Sequence, residues 1–253
     1  MNTTGQQAEH ADAKPTIVLV HGAFADASSW NGVIERLQRQ GYTVIALANP
    51  LRGVTADSAY TASLLSQIDG PVLLAGHSYG GAVISSAGAS APNVVGLVFV
   101  AAFAPDEGER LGEVASESRD SILNTAQVQY TYPAGPGGET AVEFGINPAL
   151  LREVFAADLP PETTALMAAT QRPVAAAAFT DVCGPPAWKK LPSWAVVATG
   201  DKAAGADLVR SMARRAGADI VEVEGSHVIM ISQPQAVTDH IVKAAQATVG
   251  SGR

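Results

Sequence analysis

The chain has 253 residues, of which 47% are hydrophobic and 16% are charged, and its formal net charge is -8. This composition can bury a large core, and the acidic balance argues against nucleic acid and anionic membrane surfaces as partners. No stretch approaches the length of an apolar transmembrane helix. Cys183, interpreted as a bland buried or loop thiol, is the only cysteine, so no internal disulfide can form and a cytoplasmic location is the simplest expectation.

The predicted elements begin after a polar start. Residues 1–14 lack the basic and apolar segments of a signal peptide and are predicted to form a disordered tail, followed by a single domain at 15–253. Apolar residues at helical spacing predict helices that end at Gly41 and Gly70, and a last helix that starts near Pro234. Apolar, β-branched runs predict buried parallel strands at 16–20, 42–47, 72–75, 94–101, 194–199 and 219–223.

The strand and helix alternation is interrupted between about residue 102 and residue 193. This segment is richer in Pro and Gly and shows helical patches, including an alanine-rich stretch that ends at Ala178, but no convincing strand. We therefore predict an α/β protein with a mostly parallel sheet, helices on both faces of that sheet, and a helical cap inserted at about 102–193. Some aromatic residues of this segment are candidates to line a pocket, although core packing is their default explanation: Phe103, Tyr130, Phe144, Phe155 and Trp188.

The stretch at 71–81 reads PVLLAGHSYGG and joins an apolar strand to a sharp turn and a helix start. Its GHSYG segment, centred on Ser78, has the G-x-S-x-G spacing of a turn that strains its central residue. The flanking glycines let strand and helix approach without a Cβ clash. Ser78 is thereby presented beside N–H groups at the helix N-terminus, which can stabilise an oxyanion. Ser78 is the candidate nucleophile.

Three further groups follow predicted strands of the same sheet: the loop at 21–24, Asp201 and His227. Because ligands of open parallel sheets bind at the C-terminal ends of the strands, we expect these groups to meet Ser78 there. A serine nucleophile needs a base, and the base needs a carboxylate that fixes its tautomer. The chain order serine, aspartate, histidine is that of one known triad, which predicts His227 as the base and Asp201 as the acid.

The other histidines and Arg52 are interpreted mainly as residues without a catalytic role. His21 is interpreted as a hydrogen-bonded loop residue that shapes its turn, and His77 is expected to point away from the nucleophile. His10 and His240 are expected to be solvated. Arg52 follows the second predicted strand and could meet a substrate carboxylate, although a solvated or ion-paired arginine is the commoner case.

Five stretches carry a resemblance to a known family: VLVHGAF, GHSYGG, VFVAAFAPDEGE, VVATGD and EVEGSH. The chain resembles α/β-hydrolase-fold proteins, and within them the small cofactor-free branch of plant-type methyl esterases, hydroxynitrile lyases and related bacterial esterases. The resemblance implies an oxyanion hole made by the backbone N–H groups of Phe24 and Tyr79. It also keeps Asp106 and Glu107 as alternatives to Asp201, because some relatives place the acid after that earlier strand.

Departures from the family's patterns bear on the reaction. Lyases of this branch carry a lysine directly after the catalytic histidine and a threonine in the oxyanion loop, where this chain has Val228 and Gly22. Dehalogenases and epoxide hydrolases of the fold place an aspartate at the position of Ser78. The sequence contains no P-loop, dinucleotide fingerprint or metal-ligand pattern, so we expect neither a cofactor nor a metal.

These features predict a serine hydrolase that cleaves carboxylic esters of small molecules through an acyl-enzyme intermediate. A lactonase, a carbon–carbon hydrolase, a perhydrolase and a lyase are open enzyme alternatives. A hydrolase-fold binding protein with little turnover is the alternative from a different class, and the complete triad favours an enzyme over it.

Overall fold

The computed structural model describes residues 14–249. The tail predicted at 1–14 lies outside the described residues except for Lys14. Within 14–249, no helix is long and apolar enough to cross a membrane.

A parallel sheet forms the centre of the described chain. Its six strands lie in the spatial order β2-β1-β3-β4-β8-β9, and every neighbouring pair is parallel. The strands are β1 (Thr16–Val20), β2 (Val44–Leu47), β3 (Val72–His77), β4 (Val94–Val100), β8 (Ser193–Ala198) and β9 (Asp219–Val223). All residues of β3 and β8 are buried, so both faces of the sheet are covered. The predicted α/β fold with a mostly parallel sheet is therefore confirmed.

Helices cover this sheet and connect its strands. The helices are α1 (Asn31–Arg39), α2 (Val54–Leu65), α3 (Tyr79–Ala89), α4 (Leu111–Ala115), α5 (Leu151–Phe155), α6 (Pro161–Thr170), α7 (Ala177–Thr180), α8 (Ala206–Arg215), α9 (Ile229–Ser232) and α10 (Pro234–Thr248). α1 packs against α10, which in turn packs on β4 and β8, while α2 packs against α3, which lies on β3 and β4. This arrangement leaves the C-terminal ends of the strands open to the loops that carry the candidate site.

The second strand begins two residues later than predicted. After α1, the chain turns at Gly41, whose φ of 75° lies in the left-handed region that favours glycine. The N–H of Tyr42 still donates to the carbonyl of Leu37, at 3.2 Å, so it closes the helix end. Pairing with β1 starts only at Val44.

The predicted helical cap is wrong in one respect, because the segment also contains a three-stranded antiparallel sheet. Its strands are β5 (Gln127–Pro133), β6 (Thr140–Ile146) and β7 (Val174–Ala175). β5 alternates polar and apolar residues and is joined to β6 by a glycine-rich turn, which is the pattern of a hairpin. Pro173 ends the alanine-rich helix early because proline cannot donate an N–H, so α6 ends at Thr170 and β7 follows.

His240 differs from its predicted solvated state. Its side chain on α10 is buried, and its Nε2 lies 2.9 Å from the carbonyl oxygen of Asp219, to which it donates. Burial lowers the pKa of His240 below its ordinary value of 6.5, against the opposing effect of this hydrogen bond. The native state therefore holds His240 in its neutral form.

We expect His240→Gln to reduce the loss of stability on mild acidification. In the wild type, the unfolded chain protonates His240 below about pH 6.5, whereas the native state keeps it neutral. The free energy of unfolding therefore decreases as the pH is lowered below that value. One such group contributes at most about 1.4 kcal/mol per pH unit. Glutamine keeps an N–H donor for Asp219 but does not titrate. Urea unfolding at pH 7.5 and pH 5.5 measures the difference, and an equal loss in both proteins would contradict the assignment.

Candidate active site

Ser78 stands at the turn between β3 and α3, where the backbone is strained. Its φ of 52° and ψ of -123° lie in a region that residues other than glycine rarely adopt. A Cβ placed on Gly76 would lie 2.6 Å from the carbonyl oxygen of Gly80, so this close approach of strand and helix requires glycine. The turn presents Ser78 to a cavity, which its side chain lines.

His227 and Asp201 meet in a buried pair at the same end of the sheet. Nδ1 of His227, on the loop between β9 and α9, lies 2.8 Å from Oδ2 of Asp201, which follows β8. The second carboxylate oxygen of Asp201 accepts the N–H groups of Ala203, at 2.9 Å, and Ala204, at 3.0 Å. Because a carboxylate only accepts, Nδ1 of His227 carries the proton and Nε2 is left as the basic nitrogen. His227 lines the same cavity as Ser78.

Two side chains hold the loop that carries His227. His77 is fully buried, and its Nε2 donates to the carbonyl oxygen of His227 at 2.9 Å. Burial, followed by the proximity of His227, keeps the pKa of His77 well below its ordinary value, so its ring is neutral. Asp158 accepts the N–H of Ser226 at 3.0 Å and also its hydroxyl. His77 does not line the cavity, which agrees with its predicted orientation away from Ser78, and its hydrogen bond fixes the loop of His227.

The predicted oxyanion donors lie at the wall of the cavity beside Ser78. Tyr79 is the first residue of α3, so its N–H has no acceptor within the helix. Phe24 has a φ of 61° and lines the cavity together with Ala23, which the sequence analysis did not single out. A Cβ on Gly22 would lie 2.7 Å from the Cβ of Ser78, so this loop packs directly against the nucleophile turn.

The loop at 21–24 is anchored through His21, as predicted. Nδ1 of His21 lies 2.9 Å from the carbonyl oxygen of Gly22, and its Nε2 accepts the N–H of Asn49 at 3.0 Å. The amide of Asn49 donates back to the carbonyl oxygen of His21 at 3.0 Å. His21 is buried and takes no part in lining the cavity, so its contacts shape the turn.

The cavity has a volume of about 310 Å³ and is mainly apolar. Of the predicted aromatic lining, Phe103, Phe144 and Phe155 face it, whereas Tyr130 is exposed and Trp188 donates to the carbonyl oxygen of Pro105. The sequence analysis missed three large apolar lining residues that the cap contributes: Leu111, Leu123 and Phe179. Among the described lining residues there is no Asp, Glu, Lys or Arg. Besides Ser78, Tyr79 and His227, the polar lining residues all come from the cap: Ser116, Ser121, Asn124, Gln127 and Thr180.

The alternative acids after β4 and the single cysteine have no described contact with His227. The carboxylate of Asp106 pairs with Lys189, which lowers the pKa of Asp106, and Glu107 is exposed. Cys183 is buried outside the cavity, and burial raises the pKa of its thiol to about 11. Within residues 14–249, no cluster of three or more His, Cys, Asp and Glu side chains could hold a metal ion.

Comparison with known proteins places this architecture among related chains. A model of the alpha/beta hydrolase family matches residues 17–240. "Putative methylesterase 15, chloroplastic" from Arabidopsis thaliana is 27% identical over 183 residues, which cover 66% of this chain and 40% of that protein. Norfluorocurarine synthase 2 from Strychnos sp is 27% identical over 266 residues, which cover 92% of this chain and 96% of that protein.

The chain spans less than half the length of the methylesterase relatives it matches, namely 40% and 38% of the two Arabidopsis thaliana proteins. Among solved structures, polyneuridine aldehyde esterase has a TM-score of 0.78 and 20% identity, covering 92% of this chain and 100% of that chain. Tomato Methylketone Synthase I has a TM-score of 0.77 and 21% identity, covering 93% and 99%. At these identities the structural likeness establishes the fold.

We expect Gly76→Ala to destabilise the protein and to disturb the turn at Ser78. The new Cβ would lie 2.6 Å from the carbonyl oxygen of Gly80 and 2.9 Å from the nitrogen of Gly81, and both are backbone atoms. Such overpacking typically costs about 1–3 kcal/mol. Gly184→Ala is the matched control, because nothing lies within 4 Å of its added Cβ. Thermal and urea unfolding of both variants measure the effect, and equal stability of the two would contradict this packing.

Proposed function

We propose that this chain, which belongs to the alpha/beta hydrolase family, hydrolyses small neutral carboxylic esters through an acyl-enzyme on Ser78. The observation that carries the proposal is the Asp201–His227 pair beside a strained serine at an apolar cavity. A cavity with one histidine base and, among its described lining residues, no Asp, Glu, Lys or Arg suits nucleophilic attack on a neutral substrate.

Acylation uses the basic nitrogen of His227. Nε2 removes the proton of Ser78 as Oγ forms a bond to the carbonyl carbon of the ester, and the carbonyl electrons move to oxygen. The N–H groups of Phe24 and Tyr79 stabilise that oxyanion. When the tetrahedral intermediate collapses, the carbon–oxygen bond to the alcohol breaks, and His227 gives its proton to the leaving oxygen.

Deacylation repeats these steps with water in place of the serine hydroxyl. His227 removes a proton from water, whose oxygen attacks the acyl carbon, and the proton then returns to Oγ of Ser78 as the acid leaves. Asp201 stabilises the imidazolium that forms in each half. Because Asp201 is itself held by two backbone N–H groups, it keeps the ring in one orientation throughout.

The cavity supports substrates that are apolar and of modest size. Its described lining offers aromatic and aliphatic side chains for an acyl or alcohol group, and no cation that would pair with a charged acid. Two of the similar proteins carry esterase names, which agrees with this reaction type. Other similar proteins are named synthases, so the shared fold hosts more than one reaction.

A hydroxynitrile lyase fits the site less well. Val228 replaces the lysine of that group and is buried, so no amine is supplied beside His227. A threonine in place of Gly22 would bring its Cβ to 2.7 Å from the Cβ of Ser78, which this backbone does not accommodate. Lactones and peracid formation would use the same acylated serine, so they are extensions of the proposed chemistry. A binding protein would have no need of the buried Asp201–His227 pair.

We expect a fluorophosphonate to label Ser78 and Ser78→Ala to lose ester turnover. The serine at the turn is the hydroxyl that His227 activates, so the reagent adds there, and peptide mass spectrometry locates the adduct. Ser116→Ala is the control, because Ser116 lines the same cavity but its hydroxyl donates to the carbonyl oxygen of Glu113. Labelling at another residue, or full turnover by Ser78→Ala across a panel of esters, would overturn the proposal.

We expect Asp201→Asn to reduce kcat far more than Asp106→Asn. An amide can donate to Nδ1 of His227 and so favour the wrong tautomer, a change that costs roughly 10⁴-fold in a related triad on another fold. Asp106 pairs with Lys189 and does not contact His227, so its variant should stay within a few-fold of the wild type. Steady-state kinetics measure both, with thermal melts to verify folding. A crippled Asp106→Asn beside an active Asp201→Asn would reverse the assignment of the acid.

A further inference from the structure

A second buried carboxylate, Asp57, contacts the residue that follows Ser78. The side chain of Tyr79 is buried, and its hydroxyl donates to Oδ2 of Asp57 at 2.8 Å. Asp57 stands in the first turn of α2 and is fully buried. Tyr79 thus has two parts in the turn: its N–H is a proposed oxyanion donor, and its phenol is fixed by a residue of the neighbouring helix.

The same carboxylate holds the loop that follows β2. Both oxygens of Asp57 accept the N–H of Arg52, each at 3.1 Å. This loop is strained, since Leu51 has a φ of 60° and Gly53 a φ of 141°. A buried carboxylate is costly to desolvate, and burial raises the pKa of Asp57 against its hydrogen bonds from Tyr79 and the backbone. The carboxylate therefore joins two strained segments of backbone.

The loop held by Asp57 also contacts the cap sheet. The carbonyl oxygen of Leu51 accepts the N–H of Ala175 in β7 at 2.9 Å. The guanidinium of Arg52 pairs with Glu143 in β6 at 2.7 Å and lies 4.5 Å from the ring centre of Tyr132 in β5. Arg52 is thus engaged by the cap, as the ion-paired interpretation expected, and takes no part in lining the cavity.

We propose that Asp57 is a positioning residue that orients the Tyr79 N–H for the oxyanion and links this orientation to the docking of the cap sheet. The inference rests on the proposed function, because it assigns Asp57 a part in stabilising that transition state. Asp57 touches no reacting atom and acts through Tyr79. Its hydrogen bond with the Tyr79 hydroxyl connects it to the turn at Ser78. Its hydrogen bonds with the N–H of Arg52 connect it to the loop whose residues Leu51 and Arg52 contact all three cap strands.

The test compares Tyr79→Phe and Asp57→Asn with the wild type and uses a trifluoromethyl ketone as probe. The ketone adds to the serine and places an oxyanion in the hole, whereas the matching secondary alcohol binds the cavity without forming one. Loss of one oxyanion donor costs about 10²–10³-fold in kcat, so a displaced donor should cost roughly 10-fold. We expect kcat and ketone affinity to fall together by that factor, with KM and alcohol affinity within twofold of the wild type.

Asp181→Asn is the matched control for these variants. The carboxylate of Asp181 accepts the N–H of Thr55 at 3.2 Å, so it supports the start of the same helix, and the Tyr79 hydroxyl donates to Asp57 instead. We expect its kcat and ketone affinity to match the wild type. Glu143→Gln tests the link to the cap: it should lower kcat, and combining it with Asp57→Asn should lower kcat no further, because both act through one connection.

The outcomes distinguish a positioning role of Asp57 from a purely structural one. Lower melting temperatures with unchanged kcat and unchanged ketone affinity in Tyr79→Phe and Asp57→Asn would make Asp57 a structural brace and overturn the inference. Additive effects of Glu143→Gln and Asp57→Asn would remove the link to the cap. If the wild type hydrolysed no ester, the proposed function would fail, while the ratio of ketone to alcohol affinity in the same variants would still decide the role of Asp57.

Discussion

The buried hydrogen bond between His227 and Asp201 is the interaction on which the proposed ester hydrolysis depends. It assigns the proton to Nδ1 and leaves Nε2 free to accept a proton, in a pocket with no Asp, Glu, Lys or Arg among its described lining residues. A carboxylate in such surroundings must satisfy its remaining lone pairs, and Asp201 does so with the N–H groups of Ala203 and Ala204. The fold therefore has to bring the ends of β8 and β9 together, as their parallel pairing does.

Close backbone packing places Ser78 at the cavity that His227 also lines. The loop at 21–24, the turn at Ser78 and the start of α3 meet at distances that only glycine permits at Gly22 and Gly76. The strain at Ser78 is held in place by these contacts and by the buried side chain of Tyr79.

Much of this arrangement was predictable from the sequence, for a physical reason. β1 and β9 occupy the predicted residues because short β-branched runs of a parallel sheet are buried whatever packs around them. The C-terminal ends of parallel strands lie at one edge of the sheet. Because Ser78, Asp201 and His227 each follow a strand, the sequence alone predicted that they lie close together. The cap sheet was missed although β5 and β6 have seven residues each, because half or more of β5 is exposed and because β6 pairs with distant residues, such as Phe144 with Val174. Phe179 and Asp57 belong to no motif, and only tertiary packing reveals their contacts.

Partitioning of the acyl group between water and methanol tests the central claim most directly. A set of esters that share one acyl group and differ in the leaving alcohol is hydrolysed in water that contains a fixed amount of methanol. If each ester first acylates Ser78, all of them pass through one intermediate after the alcohol has left, and the ratio of methyl ester to free acid is the same for every ester. A ratio that changes with the leaving alcohol would contradict an acyl-enzyme mechanism.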